Sequence, residues 1–193
     1  MLRARSHFLS LLIVVLAMAG CAGGQSTISG ATVSPSLQFD LPSPATLGRR
    51  VESVQLVTAE VAGQKILFEA RVSVASDRFK LVGTDPIGRR ALTVEFVDGL
   101  YHAQKADWLP TFVDPNRVLA DFILIFWPRA PLVQIFEGSG AELIDEGKMR
   151  TIRQNGIDLI TIEYIRPGWR GHARLKNHIW DYVIDVRSAE VGR

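Results

Sequence analysis

The alternation of hydrophobic and polar residues along the chain predicts a protein built mainly of β-strands. Apolar residues alternate with polar ones over residues 66–74, 92–96 and 182–186, which is the pattern of strands with one buried face. The pairs Asp98-Gly99 and Asn155-Gly156 favour tight hairpin turns. Short antiparallel strands at this spacing predict a barrel or a strongly curved sheet.

One segment interrupts this pattern with a short apolar helix. Asp114 followed by Pro115 is a typical helix start, and Trp127-Pro128 ends the segment. A helix of about twelve residues is ~18 Å long, which is too short to span a membrane. Because the helix is apolar on nearly all sides, we expect it to be buried inside the curved sheet or across its mouth.

The first twenty residues have the pattern of an export signal. Arg3 and Arg5 form a positive region, and an apolar stretch follows over residues 8–17. This stretch is shorter than the ~20 residues that a membrane-spanning helix needs. The segment ends at Gly20-Cys21, which resembles a bacterial lipobox. The resemblance implies cleavage between these two residues and acylation of Cys21, and the alternative is a plain signal peptide with a chance cysteine.

The lipobox sets the expected organisation and location of the chain. It implies a diacylglyceryl group and an N-acyl chain on Cys21, and two or more chains anchor a protein stably in membrane lipid. Residue 22 is Ala rather than Asp, which resembles sorting to the outer membrane of a bacterial cell envelope, facing the periplasm. We expect a signal peptide over residues 1–20, a lipidated cysteine and flexible Gly/Ser/Pro-rich tether over 21–46, and a folded domain over 47–193.

Composition narrows the class of protein further. The chain has 193 residues, of which 47% are hydrophobic, so it can bury a core of ordinary size. A single cysteine excludes an intrachain disulfide scaffold. The net charge of +2 comes from Arg3 and Arg5, and the rest of the chain is formally neutral. We therefore expect no nucleic-acid partner, because such proteins carry a concentrated basic face.

A series of residues in the predicted domain resembles a family of uncharacterised bacterial lipoproteins. The most specific part is the helix that ends at Trp127-Pro128, and the segment Asp85-Pro86-Ile87-Gly88-Arg89 precedes it. This family is a domain of unknown function that is often encoded beside aryl-polyene biosynthesis genes, and the resemblance covers about residues 47–187. Weaker marks follow at Arg150, Tyr164, Trp169, Gly171, Leu175, Asn177 and Tyr182.

The family is in turn remotely similar to LolB, an outer-membrane lipoprotein that accepts lipoproteins from a periplasmic carrier. That similarity implies a half-open antiparallel β-barrel, covered by helical segments, with an apolar cavity for acyl chains. The inward-facing positions of the strands and the helix supply the candidate lining residues, which are Phe68, Val72, Leu92, Val94, Phe96, Phe122, Phe126 and Trp127.

The candidate polar residues include one, Asp121, that has two interpretations. Gly88, Arg89 and Pro128 belong to the family motif, and Asp121 is the lone acid of the apolar helix. A buried carboxylate needs a partner, so Asp121 either forms an ion pair that holds the helix to the sheet or helps to hold a polar head group. The candidate partners are Arg89, Arg90, Arg117 and Arg129.

The loop around Trp108, Leu109 and Phe112 is the candidate membrane-contacting or ligand-gating loop, because exposed apolar patches usually have a use. Packing beneath the loop is the alternative. We identify no catalytic residue, cofactor site or metal site, since the common enzyme motifs are absent from the sequence. His172 and His178 are six residues apart, and surface histidines explain them better than a metal centre does.

Two functions therefore remain as hypotheses. The first is a lipid-anchored protein that binds or transfers acyl or polyene cargo in the cavity. The second is an accessory lipoprotein that recruits an envelope protein and has no ligand cavity. An apolar cavity that opens beside Trp108 favours the first hypothesis, whereas a filled interior favours the second.

Overall fold

The computed structural model describes residues 25–28 and 30–192, so the predicted signal segment, Gly20 and Cys21 lie outside the described residues. The described chain is mainly β with two α-helices, in agreement with the sequence pattern. The helices are α1 (Pro115–Phe126) and α2 (Arg129–Phe136), and a 3-10 turn spans Pro44–Leu47. The strands are β1 (Gln25–Ile28), β2 (Gly30–Ser34), β3 (Leu37–Asp40), β4 (Val51–Val61), β5 (Gln64–Ala75), β6 (Arg78–Thr84), β7 (Arg90–Val97), β8 (Leu100–Lys105), β9 (Ala141–Glu146), β10 (Met149–Gln154), β11 (Ile157–Arg166), β12 (His172–Asn177) and β13 (Tyr182–Glu190).

Eleven of these strands form one antiparallel sheet that consists of two meanders. Strands β4 to β8 pair in succession, strands β9 to β13 do the same, and β13 pairs with β4 to join the two halves. Strand β1 extends the first half by pairing with β8. The sheet is not closed into a barrel, because β1 and β9 are its two edge strands.

Both predicted tight turns are present in this sheet. Asp98 and Gly99 connect β7 to β8, and Asn155 and Gly156 connect β10 to β11. All four residues have left-handed backbones, with φ of 53° and 81° in the first turn and 51° and 78° in the second. Asn, Asp and Gly tolerate this conformation better than other residues, which is why these pairs mark hairpins.

Helix α1 begins and ends where the sequence predicts. An Asp114 carboxylate oxygen accepts a hydrogen bond from the backbone N–H of Asn116 at 2.9 Å, and Pro115 occupies the first turn. At the other end, Arg150 Nη1 donates to the carbonyl oxygens of Leu124 at 2.9 Å and Trp127 at 3.0 Å. The helix is buried on several sides, as its apolar surface requires. No helix in the described part of the chain has the length and hydrophobicity of a membrane span.

The structure corrects the predicted flexible tether in the residues that it describes. Between residues 25 and 46 the chain forms β1, the β2–β3 hairpin and the start of the 3-10 turn. Ala31, Val33, Leu37 and Phe39 are all at most 4% exposed. The Gly, Ser and Pro content of this segment predicted a tether, but its alternation of apolar and polar residues is that of a strand pair. The folded domain therefore includes residues before 47.

Three contacts fix this hairpin to the rest of the core. The ring of Phe39 packs edge-on against Phe136 of α2, with 5.5 Å between the ring centroids. Ser36 Oγ donates to Gln154 Oε1 of β10 at 3.0 Å. Asn177 Nδ2 of β12 donates to the backbone carbonyl of Val33 at 3.1 Å. The hairpin thus lies across α1 from the large sheet and helps to bury the helix.

Candidate functional site

A cavity of about 290 Å³ lies between α1 and the inner face of the sheet, meaning the face that α1 covers. Four neighbouring strands each contribute a small residue to its wall: Ala59 in β4, Ala70 in β5, Gly83 in β6 and Ala91 in β7. Larger side chains at these positions would occupy the space beneath the helix. The cavity therefore follows from the choice of small residues on adjacent strands, and most of its remaining wall is apolar.

Half of the predicted lining residues are found at this cavity. Phe68 and Leu92 project from the sheet, and Phe122 and Phe126 project from α1. The two helix rings also contact each other, with 5.0 Å between their centroids. Phe126 stacks in turn on Trp169 at 4.4 Å. The aromatic residues of the helix thus form one wall of the cavity.

The other four predicted lining residues lie elsewhere, which corrects the prediction for them. Val72 and Val94 are 2% and 0% exposed in the core, and Phe96 packs against Tyr101 at 4.9 Å. Trp127 is buried, and its Nε1 donates to Thr46 Oγ1 of the 3-10 turn at 2.8 Å. The alternation identifies the inner face of a strand, but it does not show which part of that face other segments cover. Here the 3-10 turn packs against β5 and α1.

Asp121 is buried in α1 at 4% exposure and accepts hydrogen bonds from the Tyr182 hydroxyl of β13 at 2.9 and 3.1 Å. This contact takes the place of the predicted ion pair. Arg89 pairs with Asp85, and Arg129 lies 3.7 Å from Asp145. Only Arg117, among the four candidate arginines, shares the cavity with Asp121.

Burial determines the protonation chemistry of this pair. Desolvation raises the pKa of Asp121 to about 7, although the Tyr182 hydrogen bond and the charge of Arg117 act to lower it. Desolvation also raises the pKa of Tyr182 above its usual range, and the neighbouring Asp121 raises it further. Asn177 Nδ2 lies 3.4 Å from the same hydroxyl oxygen. The cavity wall therefore contains a carboxyl group that is protonated in mildly acidic solution.

Arg117 stands at the end of the cavity where α1 begins. Its guanidinium carbon lies 3.8 Å from the centroid of the Trp180 ring, which is a cation–π geometry. Its Nε is buried and has no hydrogen-bond partner in the described residues. The nearest carboxylate oxygen belongs to Asp114, 3.9 Å from Nε, beyond hydrogen-bond distance. Both of these charged side chains are about one-third exposed, at 32% and 37%, so the cavity meets solvent here.

The family-motif segment at residues 85–89 forms a compact loop between β6 and β7. Asp85 accepts from the backbone N–H groups of Ile87 at 3.1 Å and Arg89 at 2.8 Å, and from Arg89 Nε at 2.7 Å. Burial acts to raise the pKa of Asp85, but these hydrogen bonds and the Arg89 charge lower it below its ordinary value. Gly88 has a left-handed backbone with φ of 84°. Gly88 and Arg89 therefore shape the loop, and its tip exposes 78% of Ile87.

The candidate loop around Trp108 borders the cavity. Leu109 is 4% exposed and lines the cavity together with Phe112, whereas Trp108 is 42% exposed and stacks against the Arg89 guanidinium at 4.4 Å. Lys105 Nζ fixes the loop by donating to the carbonyls of Pro110 at 3.3 Å and Val113 at 3.0 Å. The loop thus combines an inward apolar side with an exposed tryptophan.

The two histidines that the sequence placed near each other take separate partners. His172 Nε2 lies 2.8 Å from Asp185 Oδ2, and His178 Nε2 lies 3.0 Å from Thr161 Oγ1. Over residues 25–28 and 30–192, no group of three or more His, Cys, Asp or Glu side chains is arranged to hold a metal ion. Pro128 follows Trp127, the C-cap residue of α1, and is itself the N-cap residue of α2.

Gln55, Trp180 and Tyr182 are among the cavity residues that sequence reasoning missed. Gln55 is 2% exposed, and its Nε2 has no hydrogen-bond partner in the described residues. Its signal was present, because a polar residue occupies the inward register of a strand between Val51 and Val57. Trp180 and Tyr182 gave no such signal, since their roles depend on contacts with a helix about sixty residues earlier.

These observations define a class: a mainly antiparallel β protein with an apolar helix lying over one face of its sheet and an apolar cavity between them. The chain belongs to the family described as protein of unknown function (DUF3261), whose model matches residues 52–190. This match confirms the predicted domain of unknown function. A comparison with curated proteins finds no match. The β1 strand and the β2–β3 hairpin lie before the matched region.

Proposed function

We propose that this protein binds an acyl-like apolar ligand in the cavity beneath α1, while acylated Cys21 anchors the chain to the periplasmic side of the bacterial outer membrane. The observation that carries the proposal is the apolar cavity itself. Its volume of about 290 Å³ is close to the lower end of the range for small-molecule sites. Protein interiors are otherwise close-packed, and voids of this size are uncommon in them.

The shape of the sheet supports this proposal. Helix α1 contacts β7 and β8 in one meander and β12 in the other, which is consistent with a sheet that curves around the helix as a half-open barrel. The proposed remote similarity to LolB, a lipoprotein with such a barrel and a cavity for acyl chains, is consistent with this shape. Fold similarity alone does not fix function, so the argument depends on the cavity and its lining.

The position of the predicted anchor also supports the proposal. Gln25 of β1 pairs with Gln104 near the end of β8, and the Trp108 loop begins directly after β8. The 85–89 loop lies at the same end of the sheet, because Leu92 pairs with Lys105. We call loops 85–89 and 106–114 the rim. Cys21 is four residues before Gln25, so an acyl anchor would hold the rim, with exposed Ile87 and Trp108, close to lipid.

The alternative is an accessory lipoprotein that recruits an envelope protein without binding a ligand. That role requires no cavity, and larger residues at Ala59, Ala70, Gly83 and Ala91 would serve it better because they would add buried contacts. The small residues at these four positions favour a ligand-binding role.

The experiment narrows the cavity and measures its occupancy. The full acylated chain is placed in lipid nanodiscs with a long-chain fatty acid carrying a photoreactive diazirine, and crosslinks are mapped by mass spectrometry to peptides of α1, β4 and β5. Ala70→Leu places a larger side chain in the cavity and should reduce this labelling several-fold. Ala189→Leu, the same substitution at an exposed position of β13, is the matched control and should leave labelling unchanged.

Thermal unfolding of both variants confirms that each remains folded. Two results would contradict the proposal. One is an absence of crosslinks to cavity peptides in the unsubstituted chain, and the other is an equal effect of the two substitutions.

A further inference from the structure

The polar groups of the cavity are unevenly distributed along it. Arg117 and Asp114 lie at the solvent-facing end, where α1 begins, and both side chains are about one-third exposed. At the other end lie Phe126, in the last turn of α1, and Gln55, which is 2% exposed. Because α1 is ~18 Å long, these two ends are separated by most of the length of the helix. The cavity wall is therefore mostly apolar, with the Gln55 amide at the inner end and a charged pair at its mouth.

The guanidinium at this mouth has only a loose counter-ion in the protein, the Asp114 carboxylate 3.9 Å from its Nε. The side chain of Arg117 makes no hydrogen bond to any described residue, and its Nε is buried without a partner. A guanidinium group has five N–H donors in a planar arrangement that suits carboxylate and phosphate oxygens. Leaving a buried donor unpaired is energetically unfavourable. The side chain as a whole is 32% exposed, so a ligand oxygen at the mouth can reach the guanidinium group.

Neither of the two acids beside Arg117 accepts a hydrogen bond from it, so its N–H groups are available to a ligand. One Asp114 oxygen accepts from the helix N–H of Asn116 at 2.9 Å, and its other oxygen lies 3.9 Å from Arg117 Nε. Asp121 is occupied by the Tyr182 hydroxyl, and burial favours its neutral form. The start of α1 adds a favourable field for a negative charge. Trp180 holds the guanidinium plane by stacking at 3.8 Å.

We propose that the natural ligand is a single-chain amphiphile with an acidic head group, a carboxylate or a phosphate, whose oxygens bind Arg117 at the mouth while its chain occupies the apolar cavity. The inference rests on the proposed function and specifies its ligand class. The acyl chain of the ligand enters with its tail first, because the charged end of the cavity meets solvent. Arg117 selects acidic amphiphiles over neutral or cationic ones of the same chain length.

The test compares ligands that have different head groups on the same alkyl chain. Four photoreactive probes carry the same diazirine alkyl chain and end in a carboxylate, a phosphate, a methyl ester or a trimethylammonium group. Each is added to the full acylated chain in nanodiscs of phosphatidylcholine, and crosslinks to cavity peptides are counted. We expect the two acidic probes to label these peptides about tenfold more than the ester does, which is the scale of one charge-assisted hydrogen bond. The cationic probe should label them least.

Variants assign this preference to one side chain. Arg117→Met should reduce labelling by the acidic probes to the level of the ester while ester labelling persists. Arg117→Lys keeps the charge and should retain part of the preference. Arg71→Met removes an arginine that is 74% exposed on β5 and pairs with Glu69, so this matched control should leave the preference unchanged.

The outcomes separate this inference from the proposed function. Equal labelling by acid and ester in the unsubstituted chain overturns the head-group inference and leaves apolar binding intact. Equal loss of acid and ester labelling in Arg117→Met shows that the arginine only shapes the cavity. This result also overturns the head-group inference. Labelling of cavity peptides by none of the probes contradicts the proposed function itself.

Discussion

Asp121 places a carboxyl group in the buried part of an apolar helix, and the structure satisfies it with one neutral donor rather than with a counter-ion. The Tyr182 hydroxyl donates to it, and Asn177 Nδ2 lies close to the same hydroxyl. A buried charge pair would require the desolvation of two ions. A protonated carboxyl hydrogen-bonded to a phenol avoids most of that penalty, and burial shifts the pKa of Asp121 in this direction.

This shift makes stability depend on pH in a defined window. The pKa of Asp121 is about 7 in the folded chain, whereas its ordinary value is 3.8. Between these values the unfolded chain ionises while the folded chain keeps its proton, so the free energy of unfolding falls as pH rises from about 4 to 7 and then levels. Asp121→Asn cannot ionise in either state. We expect it to abolish this fall, on the order of a few kcal/mol.

Urea unfolding of the full chain at several pH values between 4 and 8 measures this effect. Asp77→Asn, at an exposed turn residue, is the matched control and should keep the pH dependence of the unsubstituted chain. A pH profile of Asp121→Asn that parallels the unsubstituted chain would show that Asp121 is ionised in the folded state throughout this range.

At the scale of elements, the features that depend on a few neighbouring residues were predicted correctly from the sequence. The cap at Asp114, Pro115 at the helix start and the two left-handed turn pairs were all found where the sequence placed them. The partner of Asp121 was not predicted, because Tyr182 is 61 residues away and is brought close only by the pairing of the two meanders. The same non-local packing decided which inward residues border the cavity and which lie beneath the 3-10 turn.

The β2–β3 hairpin was missed for a different reason. Its composition resembles a tether, but its alternation buries Ala31 and Val33 on one strand and Leu37 and Phe39 on the other. A segment of this length has too few contacts to be stable alone, so its structure depends on α1 and α2. Composition described the exposed residues of the hairpin correctly and gave no information about the covered side.

The hairpin makes a measurable contribution to the core if it is packed as described. Phe39→Ala removes a ring that is 4% exposed and contacts Phe136. We expect it to reduce the free energy of unfolding by about 3–5 kcal/mol, as for other buried Phe→Ala changes. Gln38→Ala, at the exposed neighbouring position, should change it by less than ~0.5 kcal/mol. Equal, small effects in urea unfolding would restore the interpretation of this segment as a tether.

At the scale of the whole molecule, the correction of the tether changes how the domain would sit on a membrane. With a tether of about 25 residues the domain would range over ~25–30 Å. Since β1 begins at Gln25, only residues 22–24 separate it from Cys21, and the fully extended span from Cys21 to Gln25 is ~14 Å. An acyl anchor on Cys21 would thus hold the rim and the cavity mouth within reach of lipid, so that ligand could pass between bilayer and cavity without crossing much water.

Lengthening this connection tests that arrangement. A 20-residue Gly/Ser insertion between Gly24 and Gln25 should leave the chain on the membrane, because Cys21 is unchanged, but should extend its typical reach to ~25 Å. We expect labelling of cavity peptides by a bilayer-dissolved photoreactive fatty acid to fall several-fold, because the mouth is no longer held at the surface. Cys21→Ser, which removes the proposed acylation site, should release the chain from membranes or leave its precursor uncleaved. If the insertion leaves labelling unchanged, the short connection has no part in ligand exchange. If Cys21→Ser leaves membrane retention and processing unchanged, the proposed anchor is wrong.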